Sequence, residues 1–190
     1  PEKSSSMFTL QFDEDETLML PVESEGKNTG AARAGGPPRG GAGGGRQQAN
    51  RAAQGMARTS MRGGGQEKIF YQNLKDANML FQIELDERYL LKDSLQNITW
   101  RFTDEYREIA GYECRRVNGA TPDSLYIVAF YTDQIPVSGG PAMVHGLPGM
   151  ILGLAIPEMH INYWARKVDF IVDNVPQGWK DKKSKEMSLP

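Results

Sequence analysis

The chain has 190 residues with 22 basic and 24 acidic side chains, a net charge of −2. That length suits one domain with a sizeable core. No apolar run reaches the ~20 residues that a spanning helix needs, so no transmembrane segment is expected. The single cysteine, Cys114, cannot close an internal disulfide and reads as a small buried apolar side chain.

Met7 to Phe12 alternates, with Phe8, Leu10 and Phe12 on one side, and predicts a half-buried strand. The acidic turn Asp13-Glu14-Asp15-Glu16 ends it. Thr17 to Val22 is the expected return strand, with Pro21 placing it at an edge or finishing it.

Gly26 to Gly65 contains seven basic residues and no acid, so this segment is +7 and the remainder −9. It has no aromatic and almost no aliphatic side chain. Such a composition cannot offset the entropy of ordering, and residues 26–65 are expected to be a disordered insertion in a single β domain spanning 1–190. Its Pro37-Pro38-Arg39-Gly40-Gly41 and Arg62-Gly63-Gly64 runs resemble RNA-binding tracts but lack their interleaved aromatics. A solvated linker is the preferred reading, with contact to anionic membrane surfaces as another use.

From Glu67 onward the pattern is strand after strand. Lys68 to Gln72 is short and apolar-centred. Met79, Phe81, Ile83 and Leu85 alternate with Gln82, Glu84 and Asp86, and Tyr89 to Leu91 continues after a turn. Ile98, Trp100 and Phe102 alternate with Thr99, Arg101 and Thr103, as in a strand with one buried face. Asp104 to Ala110 reads as a turn region and Gly111 to Val117 as the next strand. Asn118-Gly119 signals a turn, lengthened by Ala120 to Asp123. Leu125 to Tyr131 has apolar residues at both parities, which predicts a central strand covered on both faces. Met150 to Ile156 is another core strand, followed by a turn at Pro157-Glu158. Met159 to Asp173 is a long last strand whose change of parity predicts a β-bulge near Ala165 to Lys167. Residues 175–190 form a polar tail that is expected to fray, with at most a short helical turn over Lys180 to Met187.

The sum is a mainly β, antiparallel fold: a strongly curved sheet or incomplete barrel of about eight strands. Its organising stretch is the Gly/Pro-rich connection between Tyr131 and Leu154. Gly139, Gly140, Pro141, Gly146, Pro148 and Gly149 set the backbone there, and Met143 and Leu147 are expected to plug one end of the sheet. The preferred reading of this loop is structural; the functional one is a rigid recognition surface.

No catalytic constellation is present, and the chain is expected not to be an enzyme. Asp13 and Asp15, or Asp86 and Glu87, read as solvated turn acids. Met143, His145, Met159 and His160 are a candidate set for Cu or Zn, since thioether and imidazole suit Cu(I) and imidazole suits Zn(II). Met beside strands is more often core filler.

The run Gly146-Leu147-Pro148-Gly149-Met150-Ile151-Leu152 resembles the signature of the GLPGLI family, a bacterial envelope family of largely unknown role. Gly111-Tyr112, Cys114-Arg115-Arg116, Phe130-Tyr131-Thr132, Ile135-Pro136 and Gly140-Pro141 agree with it in order. The chain departs from the family at Phe130, where Trp is common, at Met150, where Leu is common, and at Gly153, where a polar residue is frequent. The resemblance implies export to the periplasm or cell surface after removal of a signal peptide. The resulting expectation is a non-enzymatic envelope module that binds an apolar ligand or a protein partner. Metal handling is the second reading, and nucleic-acid binding through the basic arm the third.

Overall fold

The computed structural model describes residues 5–22, 68–171, 174–180 and 184–188. The expected insertion at 26–65 lies outside the described residues.

The chain is mainly β and almost wholly antiparallel, as its patterning predicts. The strands part into two sheets, and among the described residues there are eleven of them. The six-stranded sheet is built from β1 (Phe8–Phe12), β2 (Glu16–Pro21), β3 (Lys68–Asn73), β4 (Asn78–Glu84), β5 (Arg88–Ser94) and β11 (Lys185–Ser188), in that spatial order. The five-stranded sheet runs β10-β9-β8-β7-β6, from β6 (Thr99–Ile109), β7 (Tyr112–Ala120), β8 (Tyr126–Thr132), β9 (Met150–Ile156) and β10 (Ile161–Trp164). Neither closes on itself.

Period-two patterning explains the six-stranded sheet directly. Met19, Phe70, Phe81 and Leu91 stand side by side across β2, β3, β4 and β5 and share one buried cluster. Leu18, Tyr71 and Leu80 form the next row, on the opposite face. Burying one such side chain contributes about 1.5–3 kcal/mol. Pro21 ends β2 beyond the last residue that pairs with β3, so its missing N–H costs no bond there.

Four local expectations are corrected. Asp104 to Ala110 is not a turn region, because β6 continues through it to Ile109 and the turn is the tight Ala110-Gly111. Asn118-Gly119 lies inside β7, where Trp100 covers Gly119 across the strand pair; the turn falls at Thr121 to Leu125 instead. The long last strand is only β10. A 3-10 turn at Pro157–Met159 precedes it, and its bulge is absent; the register shifts fall between Phe102 and Tyr106 and between Phe130 and Tyr131. The described part of the tail is packed, with Val175 and Trp179 against Leu18, Tyr71 and Leu80. Beyond them β11 joins β5 in parallel, and there is no helical turn over its residues. Lys185–Glu87 and Lys92–Glu186 ion pairs flank that join.

Gly149 sits where β9 begins, with its α-carbon against the backbone of Thr132. An added Cβ would lie 2.0 Å from the Thr132 carbonyl oxygen, which cannot move without shifting β8. Gly149→Ala should therefore cost about 3 kcal/mol. Gly178→Ala, which meets nothing within 4 Å, should stay within about 0.5 kcal/mol. Urea unfolding of the two variants checks this, and equal midpoints would refute the close approach.

Candidate functional site

The Gly/Pro connection, residues 133–149, is the candidate site that the sequence singles out. Its alternation is unusual for a loop: Ile135, Val137, Ala142, Val144 and Leu147 are all buried. Ile135 and Val137 pack with Cys114, Met150 and Leu152, whereas Val144 and Leu147 join Val117, Ala129 and Leu154. Ala142 packs against Met19, Phe70 and Phe81 of the other sheet. The connection therefore packs on both faces of the five-stranded sheet, and its Ala142 to Leu147 part fills the space between the two sheets.

Its backbone polar groups need partners in that apolar setting. Gln72, fully buried on β3, supplies them: its Nε2 donates to the carbonyls of Ala142 at 2.7 Å and Gly140 at 3.3 Å. The Ala142 N–H donates to the Met19 Sδ at 3.2 Å. Ala142 is held in the left-handed region, φ 55°, a conformation that costs an L-residue about 1–2 kcal/mol. Further along, the Trp100 indole N–H donates to the His145 carbonyl at 3.2 Å, and the Gly146 N–H to the Ser138 carbonyl at 3.0 Å. Gly140, Pro141 and Gly149 are buried, while Gly146, at φ 94°, and Pro148 reach the surface.

The four candidate metal ligands are placed separately. Met143 packs beside Phe70 and Phe81, and Met159 beside Val117 and Leu154, so the two thioethers join different clusters. His145 Nε2 faces the Gln96 carbonyl at 2.9 Å, and burial pushes its pKa down. His160 is exposed in the left-handed conformation that ends the 3-10 turn.

The second candidate is a surface that the sequence does not announce. β8 is central, yet only its Ile127, Ala129 and Tyr131 side is fully covered. On its other side Phe130 is half-buried beside the Cys114 cluster, Val128 is half-buried and Tyr126 is exposed. Register gives the rest of that face. Arg101, Asn118, Val128, Ala155 and Asn162 form one row across all five strands. Arg116, Phe130, Gly153 and Trp164 form the next. Trp164 covers Gly153, where a Cβ would meet its ring at 2.6 Å, and its ring is tilted at 43° to that of Phe130 at 5.6 Å. The Arg107 guanidinium stands 5.3 Å from the Trp164 ring and 5.5 Å from the Phe130 ring.

The arginines of β6 and β7 divide into two kinds. Arg115 and Arg116 pair with Asp104 at 3.2 Å and Glu105 at 2.6 Å, and the Glu105 bond raises the pKa of Arg116 further. Arg101 and Arg107 have no carboxylate partner among the described residues. The signal for this face was the alternation of Arg101 with Trp100 and Phe102, which marks the solvent side of β6. What hid it was the apolar character of Val128 and Phe130 on β8.

A family model described as "Protein of unknown function (Porph_ging)" matches residues 117–153, the stretch from β7 through the connection into β9. No curated protein matches the chain in sequence. Among solved structures, "Structure of PNGF-II in C2 space group" is similar at 15% identity and a TM-score of 0.59, over 97% of this chain and 28% of that one. "Structure of PNGF-II in P21 space group" is similar at 12% identity and a TM-score of 0.55, over 98% of this chain and 29% of that one. The chain thus spans less than a third of the length of those structures, and at such identity the likeness is one of fold.

Two measurements check the connection. Gln72→Met keeps the shape but removes the amide donors, leaving buried carbonyls unpaired; stability should fall by about 1–3 kcal/mol, with faster hydrogen exchange at Gly146 and Ile151. An unchanged unfolding midpoint would refute the pinning. Burial also pushes the Cys114 thiol up to about 11, from 9.0 when unperturbed. The unfolded chain therefore loses this proton first, and stability should fall as pH rises from about 9 towards 11. In the Cys114→Ala protein that part of the decline should vanish; if it persists, the thiol is not its source.

Proposed function

We propose that this chain is a non-enzymatic binding module of the bacterial cell envelope and that it works through its outer surface by holding a protein partner. The observation that carries this reading is the occupied interior: Ala142, Val144 and Leu147 of the chain's own connection take the place an apolar ligand would need between the sheets. The open face of the five-stranded sheet, with Tyr126 and Trp164 more than two-fifths exposed, is then the surface available for recognition. Large amphipathic rings held on a rigid scaffold favour protein contacts, because little side-chain entropy is lost on binding.

The envelope placement rests on the Gly146–Leu152 run and its likeness to the GLPGLI family, with the match of residues 117–153 to a family of unknown function in support. The likeness to a part of a longer solved chain supports an accessory role beside other domains.

Native mass spectrometry of the purified protein should show the bare chain mass. A lipid carried at one per chain would overturn the occupied-interior reading in favour of apolar-ligand carriage. In the source cells, a photo-crosslinking residue at Asn162 should give a discrete protein adduct that the same residue at Lys75, in the exposed β3–β4 turn, does not. Equal adduct patterns at both positions would defeat the partner reading.

A further inference from the structure

The open face has a chemistry specific enough to name what it holds. Its centre is an apolar strip along β8 and β9, Val128, Phe130 and Ala155, bounded by the exposed rings of Tyr126 and Trp164. Its β6 margin carries Arg101 and Arg107, both exposed and both without a carboxylate partner among the described residues. They share the face, because Arg101 stands opposite Asn118 and Arg107 opposite Cys114, two alternate-face positions apart on β7. The four-residue step from Asn118 to Cys114 on β7 separates them by roughly 13 Å, the bulge taking up the extra residues of β6.

We propose that this face docks an acidic, partly apolar polypeptide segment. Its carboxylates pair with Arg101 and Arg107, and its aliphatic or aromatic side chains cover the Val128–Phe130 strip. The inference rests on the partner-binding reading above and adds the partner's chemistry. Arg107 lies with its guanidinium over the Phe130 and Trp164 rings, which limits its freedom, and its N–H groups are suited to a bidentate carboxylate. Asn118 and Asn162, in the same row as Arg101, present amides suited to an extended backbone.

Charge density favours a polypeptide over a nucleic acid. Outside residues 26–65 the chain is −9, which opposes a strand with one phosphate per nucleotide more than a segment with a few carboxylates. Two separated arginines beside an apolar strip match a few carboxylates spaced along a mixed sequence.

Fluorescence anisotropy on the full chain tests this with three labelled probes of similar length. They are a peptide of about eight residues alternating Glu with Leu or Tyr, the same peptide with Gln for Glu, and an oligouridine. The Glu peptide should bind in the micromolar range and weaken with salt. The Arg101→Gln/Arg107→Gln double variant should bind it about tenfold or more weakly, as should Tyr126→Ser/Trp164→Ser to a lesser degree. Lys180→Gln, beside Tyr71 and Trp179 on the far side of the six-stranded sheet, should bind it as the parent does. Circular dichroism of each variant confirms that the sheets persist. Equal binding of the Glu and Gln peptides, or an unaffected arginine double variant, overturns the proposal, as does tighter binding of oligouridine. If the peptide fails while the Asn162 crosslink persists, the acidic chemistry falls and the partner reading stands.

Discussion

The contact on which the rest depends is one buried amide. Gln72 projects from the six-stranded sheet into the carbonyls of residues 140 and 142, and so ties the connection between β8 and β9 to a sheet of which neither strand is a member. Without such a donor, a stretch of irregular backbone between two apolar faces would hold several unpaired carbonyls at about 1–3 kcal/mol each. With it, Ile135, Val137, Val144 and Leu147 can serve as core, and the two sheets share an interior. Its Oε1 finds no partner among the described residues, so the gain is partial.

That arrangement decides which surfaces stay open. A curved sheet with an empty concave side leaves its interior open; one filled by its own connection leaves only its exterior. The five-stranded sheet has one face against Val144 and Leu147 of the connection. The opposite face is covered at the end where Cys114, Met150 and Leu152 meet Ile135, Val137, Ala165 and Val168 together with Leu10, Phe12 and Leu74. The rest stays open because β10 stops at Trp164 and the chain then leaves to reach the back of the six-stranded sheet at Val175. Small residues at Gly153 and Ala155 let the rings and the guanidinium of Arg107 lie close to the sheet.

The edges are managed differently. On β6 the bulge between Phe102 and Tyr106 turns the edge, and Thr103 satisfies it locally: its Oγ1 donates to the Arg116 carbonyl at 2.8 Å, and its carbonyl accepts from Arg115 Nε at 2.6 Å. Charges and bulges of this kind discourage further strand pairing. On β5 the edge is covered by β11. The β6 edge is thus blunted while the face of the five-stranded sheet stays open.

Strands with one clean alternation, such as Met79 to Leu85 or Ile98 to Thr103, were legible in the sequence because burial on a single face leaves a period of two. The special status of the Gly/Pro connection was legible too, since Pro and Gly reveal backbone demands without tertiary knowledge. Turns were misread where a local signal met a stronger distant one: Asn118-Gly119 stays extended because β6 and β8 pair on both sides of it, with Trp100 covering the glycine. The division into two sheets, the place of the connection between them and the open face were decided only by tertiary packing. Gln72, a polar residue in a short apolar run, gives no sign of what it reaches. Val128 and Phe130 look alike whether covered or open, because exposure is set by where the next segment of chain goes.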